Sequence, residues 1–478
     1  WEQLPETTQA TLEQAGAGSL PGKPAAALMA QRFRCSLGAG DGAEPGSGER
    51  LALRLLLATA VARQQPLMTA FIADVGAVRE KLSNLIRKML ADALPADDLD
   101  ALATGLDSVD TRETDLTSFI NETEGTIDAR IDALRLRRLV SLAQKLRDLS
   151  WQLTEGRQGF GRAGLGLVLC SNLPAGWAGV FPDNPFAVPV TVDTTGDAAQ
   201  YAAGLLQGQL QQALEGFVLM RKARVELESP ADAARLWSTL DNLGWDDLTV
   251  EERALCPPVI VVGSSSLLAG RGLSQLSGIM AGNLPIKFIV FPELDFGLAA
   301  GANTGLPLSP IQDTGMDLAL LTLAWRSSLN AQCSVGYPEH LAATVETALN
   351  FPGPALIQIH APSPGRHGFP ADQTVMQARL AVKTRTFPLF LYDPGAEGVF
   401  GSRFSLAENP DPDSGWLSDE SGQPVTTAHW MLGERRFAQW LSRLPADAPD
   451  TLPLAEYLAL PEMSRAGKEP FIPDSGMH

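Results

Sequence analysis

Four short β-forming runs dominate the second half of the sequence. They read VIVVG, KFIVF, AQCSVGY and ALIQIH, and stretches long enough to form helices separate them. Strands that are apolar along their whole length and alternate with helices are typical of a parallel sheet covered on both faces. The pattern therefore predicts an α/β protein with a doubly wound, mostly parallel sheet.

The sequence before these runs is helical in pattern. Apolar residues recur at spacings of three and four from Val78 to Ala93 and again from Ile127 to Leu153, so each stretch presents one apolar face. The acidic segment between the two stretches reads as a hinge. We therefore expect an N-terminal helical insertion or bundle beside the α/β part.

Residues 156–195 differ from both neighbours, because glycine and proline are dense and charges are few. This composition excludes a helix and is too apolar for a free linker, so we expect a long loop laid over a hydrophobic surface, with residues 156–189 facing protein. The predicted domains are a Gly/Pro-rich segment (1–50), a helical region (51–155), the α/β domain (156–400), and a C-terminal loop, helix and tail (401–478).

The charge balance limits the classes of partner. The chain has 37 Lys and Arg against 55 Asp and Glu, a formal net charge of −18, and no basic patch is segregated. Such a chain repels nucleic acid and anionic membranes. No apolar run is long enough to span a bilayer. The four cysteines lie far apart without any Cys-x-x-Cys pair, which indicates free thiols in a reducing cytoplasm.

The turn after the first of the four runs is the main candidate site. Gly263, Ser264 and Ser265 follow the apolar strand and precede the start of a helix, where backbone N–H groups bind anions in parallel sheets. The turn lacks the Gly-x-Ser-x-Gly pattern of a serine nucleophile, so we assign no catalytic residue. His367, close to His360, is a weak metal candidate.

Two longer stretches resemble a known family. MQARLAVKTRTFPLFLYDP and GPALIQIHAPSPGRHG are similar to the thiamine-diphosphate domain at the C-terminal end of pyruvate:ferredoxin (flavodoxin) oxidoreductases, and the resemblance extends over residues 255–410. It implies a thiamine-diphosphate-domain-like fold, with thiamine diphosphate and Mg²⁺ as possible cofactors.

The chain departs from the family at the metal ligands. The family has Gly-Asp-Gly where this chain has Gly263, Ser264 and Ser265, so the carboxylate that helps to hold magnesium is missing. The family's Asn-Thr-Gly matches Asn303 only with inserted residues, which leaves Asn303 a weak cofactor-binding candidate. Asp295 is a weak substitute metal ligand.

The family's [4Fe–4S] cluster is predicted to be absent from this chain. The family holds the cluster with four cysteines, two of them in Cys-x-x-Cys-Gly-Glu. We align that motif with Cys35 and Gly38, and we align the cysteine after the ALIQIH strand with Ser363. Oxygen and glycine do not replace a soft thiolate around iron.

These observations favour one function and leave two alternatives. The favoured function is a degenerate thiamine-domain subunit or segment of a 2-oxoacid oxidoreductase assembly, mainly structural, which docks other domains or subunits and a ferredoxin-like iron–sulfur protein in an oligomer. The first alternative is an active oxidoreductase chain that binds thiamine diphosphate through altered metal ligands. The second is a binding module for another anionic ligand.

Overall fold

The computed structural model describes most of the chain, in twelve parts. They are residues 7–17, 22–29, 44–91, 133–157, 159, 161–170, 190–228, 230–270, 272–296, 317–420, 422–441 and 450–473. The chain forms two compact units, one comprising 1–63, 165–206 and 258–478 and the other 64–164 and 207–257. The first unit contains the large sheet, and the second is helical.

The first unit is built on a sheet of eight strands with the order β2-β1-β3-β4-β6-β5-β7-β8. The strands are β1 Gly166–Cys170, β2 Val190–Asp193, β3 Val259–Ser264, β4 Ile286–Phe291, β5 Leu329–Ser334, β6 Ala355–His360, β7 Phe390–Tyr392 and β8 Phe404–Ser405. Strands β1 to β6 are parallel, whereas β7 pairs antiparallel with both β5 and β8. The predicted α/β class and mostly parallel sheet are confirmed.

Helices cover both faces of the sheet because alternate strand residues point to opposite sides. Leu167 and Ile260 belong to one core, into which the start of the long helix Gly48–Ala91 and the helix Pro338–Asn350 pack. Val168 and Val261 belong to the other core, which the start of the helix Ala198–Glu228 and the helices Ser265–Ala269, Leu273–Met280 and Leu318–Leu323 complete. The arrangement is compatible with a doubly wound fold.

The described helices are numbered along the chain. They are α1 Gln9–Gly16, α2 Gly22–Met29, α3 Gly48–Ala91, α4 Ala133–Thr154, α5 Ala198–Glu228, α6 Ala233–Leu240, α7 Val250–Leu255, α8 Ser265–Ala269, α9 Leu273–Met280, α10 Leu318–Leu323, α11 Pro338–Asn350, α12 Pro364–His367, α13 Thr374–Lys383, α14 Thr427–Leu432 and α15 Leu454–Ala459. Short parallel strands, β9 Thr451–Pro453 and β10 Glu469–Phe471, pair near the end of the described chain.

The segment predicted as a long loop contains two strands of the sheet, and that prediction is wrong there. β1 is buried along its whole length and pairs with β2 on one side and β3 on the other. The run Leu167–Cys170 is only four residues long and follows several glycines, so composition averaged over 156–195 concealed it. Residues 171–189, which include most of the predicted protein-facing segment, lie outside the described residues.

The second unit confirms the apolar faces predicted for its two main helices. Val78 and Leu82 of α3 pack with Leu142, Leu146 and further residues of α4 in one buried cluster. The predicted acidic hinge between these helices lies outside the described residues.

An ion pair is buried in this helical unit. Glu226 is fully buried and accepts hydrogen bonds from Arg135 and, at 3.0 Å, from Arg138. Two arginines therefore compensate one carboxylate that has no access to water.

A buried lysine lies near the amino end of β4. Lys287 Nζ donates hydrogen bonds to the carbonyl oxygens of Phe351 at 2.7 Å and Gly353 at 2.6 Å. Burial, with the charge of Arg63 as a second cause, lowers the pKa of Lys287 to about 7. The amine joins β4 to the turn before β6, on the edge of the sheet away from the candidate site.

Among the described helices, none is both long and apolar enough to cross a bilayer.

Candidate functional site

The candidate site lies at the carboxyl edge of the parallel strands. β2 and β1 extend the sheet in one direction and β3 and β4 extend it in the other, so the strand order reverses between β1 and β3. Open parallel sheets bind ligands in the crevice at such a reversal. Cys170 ends β1 there, and the turn from Gly263 to Ser265 ends β3. The predicted turn between strand and helix is therefore confirmed, with β4 parallel beside it.

Gly263 is required by the close approach of its neighbours. A Cβ atom at this position would lie 2.9 Å from Cys170 Sγ and 3.1 Å from Leu268 Cδ1. Real Cβ contacts are longer, so a side chain here would push β1 and α8 away. The glycine therefore serves the packing of the sheet edge, whatever the turn binds.

The two serines after Gly263 are buried at the start of α8. Ser264 is the last residue of β3, and Ser265 is the first of α8. Ser265 is 3% exposed, and its Oγ has no hydrogen-bond partner within the described ranges. Buried hydroxyls are nearly always paired, so this one is available to a ligand or a water molecule.

A second turn, after β2, lies beside the serine turn. Asp193 is buried and accepts hydrogen bonds from the backbone N–H of Thr195 at 2.8 Å, from its hydroxyl at 2.9 Å and from the N–H of Gly196 at 3.1 Å. Burial raises the pKa of Asp193, but the hydrogen bonds from Thr195, Asp197 and Gly196 outweigh it, so the pKa lies below its usual value. The carboxylate is therefore charged and already coordinated by its own turn.

A small recess lies between the turn after β2 and helix α8. The amide of Gln275 in α9 donates to Asp197 at 3.0 Å and thereby links α9 to the turn after β2. The recess is lined by Cys170, Asp193, Gly196, Ala198, Ala199, Leu267, Leu268 and Gly272. Its walls are mostly apolar, and the start of α5 contributes Ala198 and Ala199. The recess thus lies next to Gly263 but receives no basic side chain from the lining residues.

Cys170 is a thiol in this recess. Burial, with the nearby charge of Asp193 as a second cause, raises the pKa of Cys170 to about 12. A thiol with that pKa is protonated and a weak nucleophile at neutral pH. Cys256 and Cys333 also have pKa values raised to about 12, in both cases chiefly by burial.

The acids after β4 lie beside arginine side chains. Arg366 donates to Glu293 Oε1 at 3.2 Å, and Arg436 donates to the backbone carbonyl of Glu293. The charge of Asp295 acts on Arg436. Leu294 and Phe296, on either side of Asp295, have left-handed φ angles of 51° and 52°, which are uncommon for such residues. Asn303 lies outside the described residues, so its role stays a prediction.

The loop after β6 carries His367, the other weak metal candidate. His367 is 2% exposed, its Nδ1 accepts a hydrogen bond from the N–H of Ser363, and it lies 3.9 Å from Glu434 Oε2. Burial, together with the charges of Arg436 and Arg366, holds the pKa of His367 far below its usual value. The ring is therefore neutral, and its charged neighbours are Arg436, Arg366 and Glu434. In the described part of the chain, no three His, Cys, Asp or Glu residues are grouped to hold a metal ion.

Sequence reasoning missed the segment that covers this loop. Ser363 Oγ donates to Glu44 Oε2 at 2.7 Å, and the N–H of Gly365 donates to the same carboxylate. The N–H of Gly48 donates to the carbonyl of Pro362 at 3.0 Å. The composition of residues 1–50 predicted a Gly/Pro-rich segment and did not indicate these contacts. Cys35 and Gly38, predicted to match the cysteine motif, lie outside the described residues.

The turn after β2 was missed as well. Its sequence, Asp-Thr-Thr-Gly-Asp between β2 and α5, is a cluster of small polar residues typical of a side-chain-capped turn. Such a turn becomes visible only once β2 is recognised as a strand.

The described side chains do not fit a magnesium diphosphate. The serine turn offers hydroxyl and backbone N–H groups but no carboxylate, and magnesium sites normally include one or two carboxylates. Glu293 is occupied by Arg366, and Asp295 is close to the charge of Arg436. The positions where the resemblance expects metal ligands therefore lack an available carboxylate among the described residues.

Comparison with known proteins relates parts of this chain to oxidoreductase subunits. It is 43% identical to the ketoisovalerate oxidoreductase subunit VorB of Pyrococcus abyssi over 75 residues, 16% of this chain and 24% of that protein. It is 26% identical to the pyruvate synthase subunit PorB of Methanocaldococcus jannaschii over 151 residues, 29% of this chain and 51% of that protein. For PorB of Pyrococcus horikoshii, the identity is 27% over 153 residues, 29% of this chain and 46% of that protein.

The chain spans between a quarter and about half of the length of these relatives. No family model matches it. The resemblance to subunits of 2-oxoacid oxidoreductases is thus confirmed for partial stretches.

Proposed function

We propose that this chain is a subunit, or a segment of one, in an assembly of the 2-oxoacid:ferredoxin oxidoreductase type. In it, the chain supplies a thiamine-diphosphate-domain-like fold whose main role is to dock active partners. The partners would be other domains or subunits of the complex and a ferredoxin-like iron–sulfur protein. The relatives support this proposal because each carries the word subunit in its name.

One observation carries the structural role. The edge of the sheet that binds ligands in such folds is present, but Glu293 beside it is paired with Arg366 and the backbone of Gly263 is packed against Cys170. A site that retained magnesium diphosphate would keep an unpaired carboxylate at this edge. The described side chains at this edge instead contact other groups of the chain, as expected of a structural domain.

A second observation favours an alternative function at the same edge. The buried Oγ of Ser265 has no partner within the described ranges and lies at a strand–helix turn. An anionic ligand, either thiamine diphosphate bound with altered metal ligands or another phosphate, would supply an acceptor for this hydroxyl. This alternative makes the chain a binding protein or an active oxidoreductase chain.

The experiment that separates these functions is a cofactor assay on the full chain. Thiamine and iron are quantified in the purified, unfolded protein, and binding of thiamine diphosphate with Mg²⁺ and of inorganic phosphate is titrated calorimetrically. The docking function predicts no released thiamine and no binding heat. One thiamine per chain, or binding that Ser265→Ala abolishes, would replace the docking proposal by the ligand-binding alternative.

The partner side of the proposal has its own measurement. Light scattering after size-exclusion chromatography should show the mass of an oligomer or of a complex with a co-purifying subunit. A stable interface of this kind should bury more than about 1,000 Å². A monomer at micromolar concentration with no co-purifying subunit contradicts docking.

A further inference from the structure

We propose that residues 44–49 are this chain's counterpart of the Cys-x-x-Cys-Gly-Glu motif, and that they close, by hydrogen bonds and ion pairs, the place that the resemblance assigns to an iron–sulfur cluster. We call residues 44–49 the closure segment. Its sequence is Glu-Pro-Gly-Ser-Gly-Glu. The comparison with the cysteine motif rests on the proposed function, whereas the closure itself rests on the contacts described below.

The position of Ser363 locates the segment. Ser363 stands where the resemblance has a cluster cysteine, and its side chain donates to Glu44 Oε2 at 2.7 Å. The two groups are 319 positions apart in the sequence, so the contact is made by the fold and not by the local chain. The residue that contacts this cluster position is therefore Glu44, and the assignment to residues 44–49 replaces the alignment of the motif with Cys35 and Gly38.

The spacing within the segment agrees with this location. Glu44 and Ser47 are separated by two residues and are followed by Gly48 and Glu49, which reproduces the motif with both cysteines replaced. Gly48 is fixed by packing, because a Cβ atom there would lie 2.6 Å from the carbonyl oxygen of Pro362.

Gly46 is equally restricted. Its φ of +72° is left-handed, and a Cβ atom there would lie 2.1 Å from the carbonyl oxygen of Ala371. The hydroxyl of Thr374 donates to the carbonyl of Gly46. The segment is therefore pressed against the loop after β6 and the start of α13, backbone against backbone.

Charged side chains complete the closure. Glu49 is 2% exposed and pairs with Arg366, whose guanidinium also pairs with Glu293 at 3.2 Å. Burial raises the pKa of Glu49, and the neighbouring Arg366 acts in the opposite direction. One arginine thus joins the start of α3 to the end of β4. The guanidinium therefore balances the charge of the two carboxylates at this place.

The donors present do not fit an iron–sulfur cluster. Carboxylate and hydroxyl oxygens are hard donors, whereas these clusters need soft thiolates. The chain therefore differs from the family in two ways: the cluster ligands are replaced, and the replacing side chains contact one another.

A double-mutant cycle tests the closure. Glu44→Ala, Ser363→Ala and the double variant of the full chain are unfolded with urea. If the two side chains form one hydrogen-bonded unit, the unfolding constants depart from additivity by about threefold or more. A smaller departure overturns the closure. Glu397→Ala, a change at an exposed acid, combined with Ser363→Ala should be additive. If the double variant does not fold, Glu44→Met, which keeps the length of the side chain without an acceptor, replaces Glu44→Ala in the cycle.

Iron uptake tests the assignment of the motif. The wild-type chain and the triple variant Glu44→Cys/Ser47→Cys/Ser363→Cys are incubated anaerobically with ferrous iron and sulfide, desalted and assayed for iron. The triple variant regains three thiolates and should retain iron with a brown absorption band, and the wild type should retain none. Iron in the wild type, or equal iron in both, overturns the assignment. Neither readout needs a partner, so failure of the docking function leaves both results interpretable.

Discussion

Replacing Gly263 by alanine should destabilise the sheet unit by about 1 kcal/mol, the overpacking cost less the entropic gain of alanine. The new Cβ would lie 2.9 Å from Cys170 Sγ and 3.1 Å from Leu268 Cδ1. Optimal heavy-atom contacts are near 3.5–4.0 Å, so β1 and α8 must yield by about 0.5–1 Å. Overpacking of this kind costs about 1–3 kcal/mol, and the entropic gain of alanine over glycine returns only about 0.5–1 kcal/mol.

The free energy of unfolding of Gly263→Ala is measured by urea titration at neutral pH, followed by circular dichroism. Cys170→Ala removes the sulfur that the new methyl group meets. The double variant should therefore be at least ~0.5 kcal/mol more stable than the two single changes predict by addition.

Gly208→Ala is the matched control, because an added Cβ at Gly208, inside helix α5, meets nothing within 4 Å. That change should stabilise the chain by about 0.5–1 kcal/mol. If Gly263→Ala is as stable as the wild type, or if Cys170→Ala brings no rescue, β1 and α8 do not approach the turn as described.

Three further predictions concern buried charges and thiols. Lys287 has a pKa of about 7 in the folded chain, against 10.5 when it is exposed. Between these pH values the unfolded chain binds one more proton than the folded chain, so the free energy of unfolding rises with pH, by at most about 1.4 kcal/mol per pH unit. Lys287→Met should remove this rise in urea titrations from pH 6.5 to 9.5, and an unchanged slope would contradict the prediction. Arg138→Met leaves the buried Glu226 with a single partner and should cost about 2 kcal/mol, less than the 3–5 of a fully broken pair, whereas Arg147→Met at an exposed pair should cost under ~0.5 in the same assay. The three cysteines of raised pKa should be alkylated by iodoacetamide at pH 8 far more slowly in the folded chain than in urea, as mapped by mass spectrometry, and equal rates would refute their burial.

The strands from β3 to β6 could be predicted because their physical signal is local. Each is apolar along its length, and each is buried on both sides in the sheet. β1 satisfies the same rule, but four apolar residues beside glycines are too short to stand out from a glycine-rich segment. The order β4-β6-β5 could not be predicted either, since nothing local in a strand specifies its neighbour.

Part of the candidate site could likewise be predicted from the sequence, and part could not. Gly263 and Ser265 were predicted from the strand–turn–helix pattern, which lies in one short stretch of sequence. The contact of Ser363 with Glu44 joins residues 319 positions apart, and residue spacing does not predict contacts over such a distance in sequence. His367 was placed correctly after a strand, but its neutral, arginine-flanked surroundings depend on Arg436 from the C-terminal region.

The position of β1 between β2 and β3 has a consequence for synthesis on the ribosome. β1 pairs with β3, yet about 90 residues separate the end of the one from the start of the other. At a translation rate of ~5–20 residues per second, β1 is exposed to the cytosol of an expression host for roughly 5–20 s before β3 is made. During this interval β2 is the one sheet neighbour of β1 already synthesised, and the open apolar edge is a target for chaperones and for aggregation. Slower translation between β2 and β3 would lengthen the exposure, so the yield of native chain should depend on codon choice in that interval.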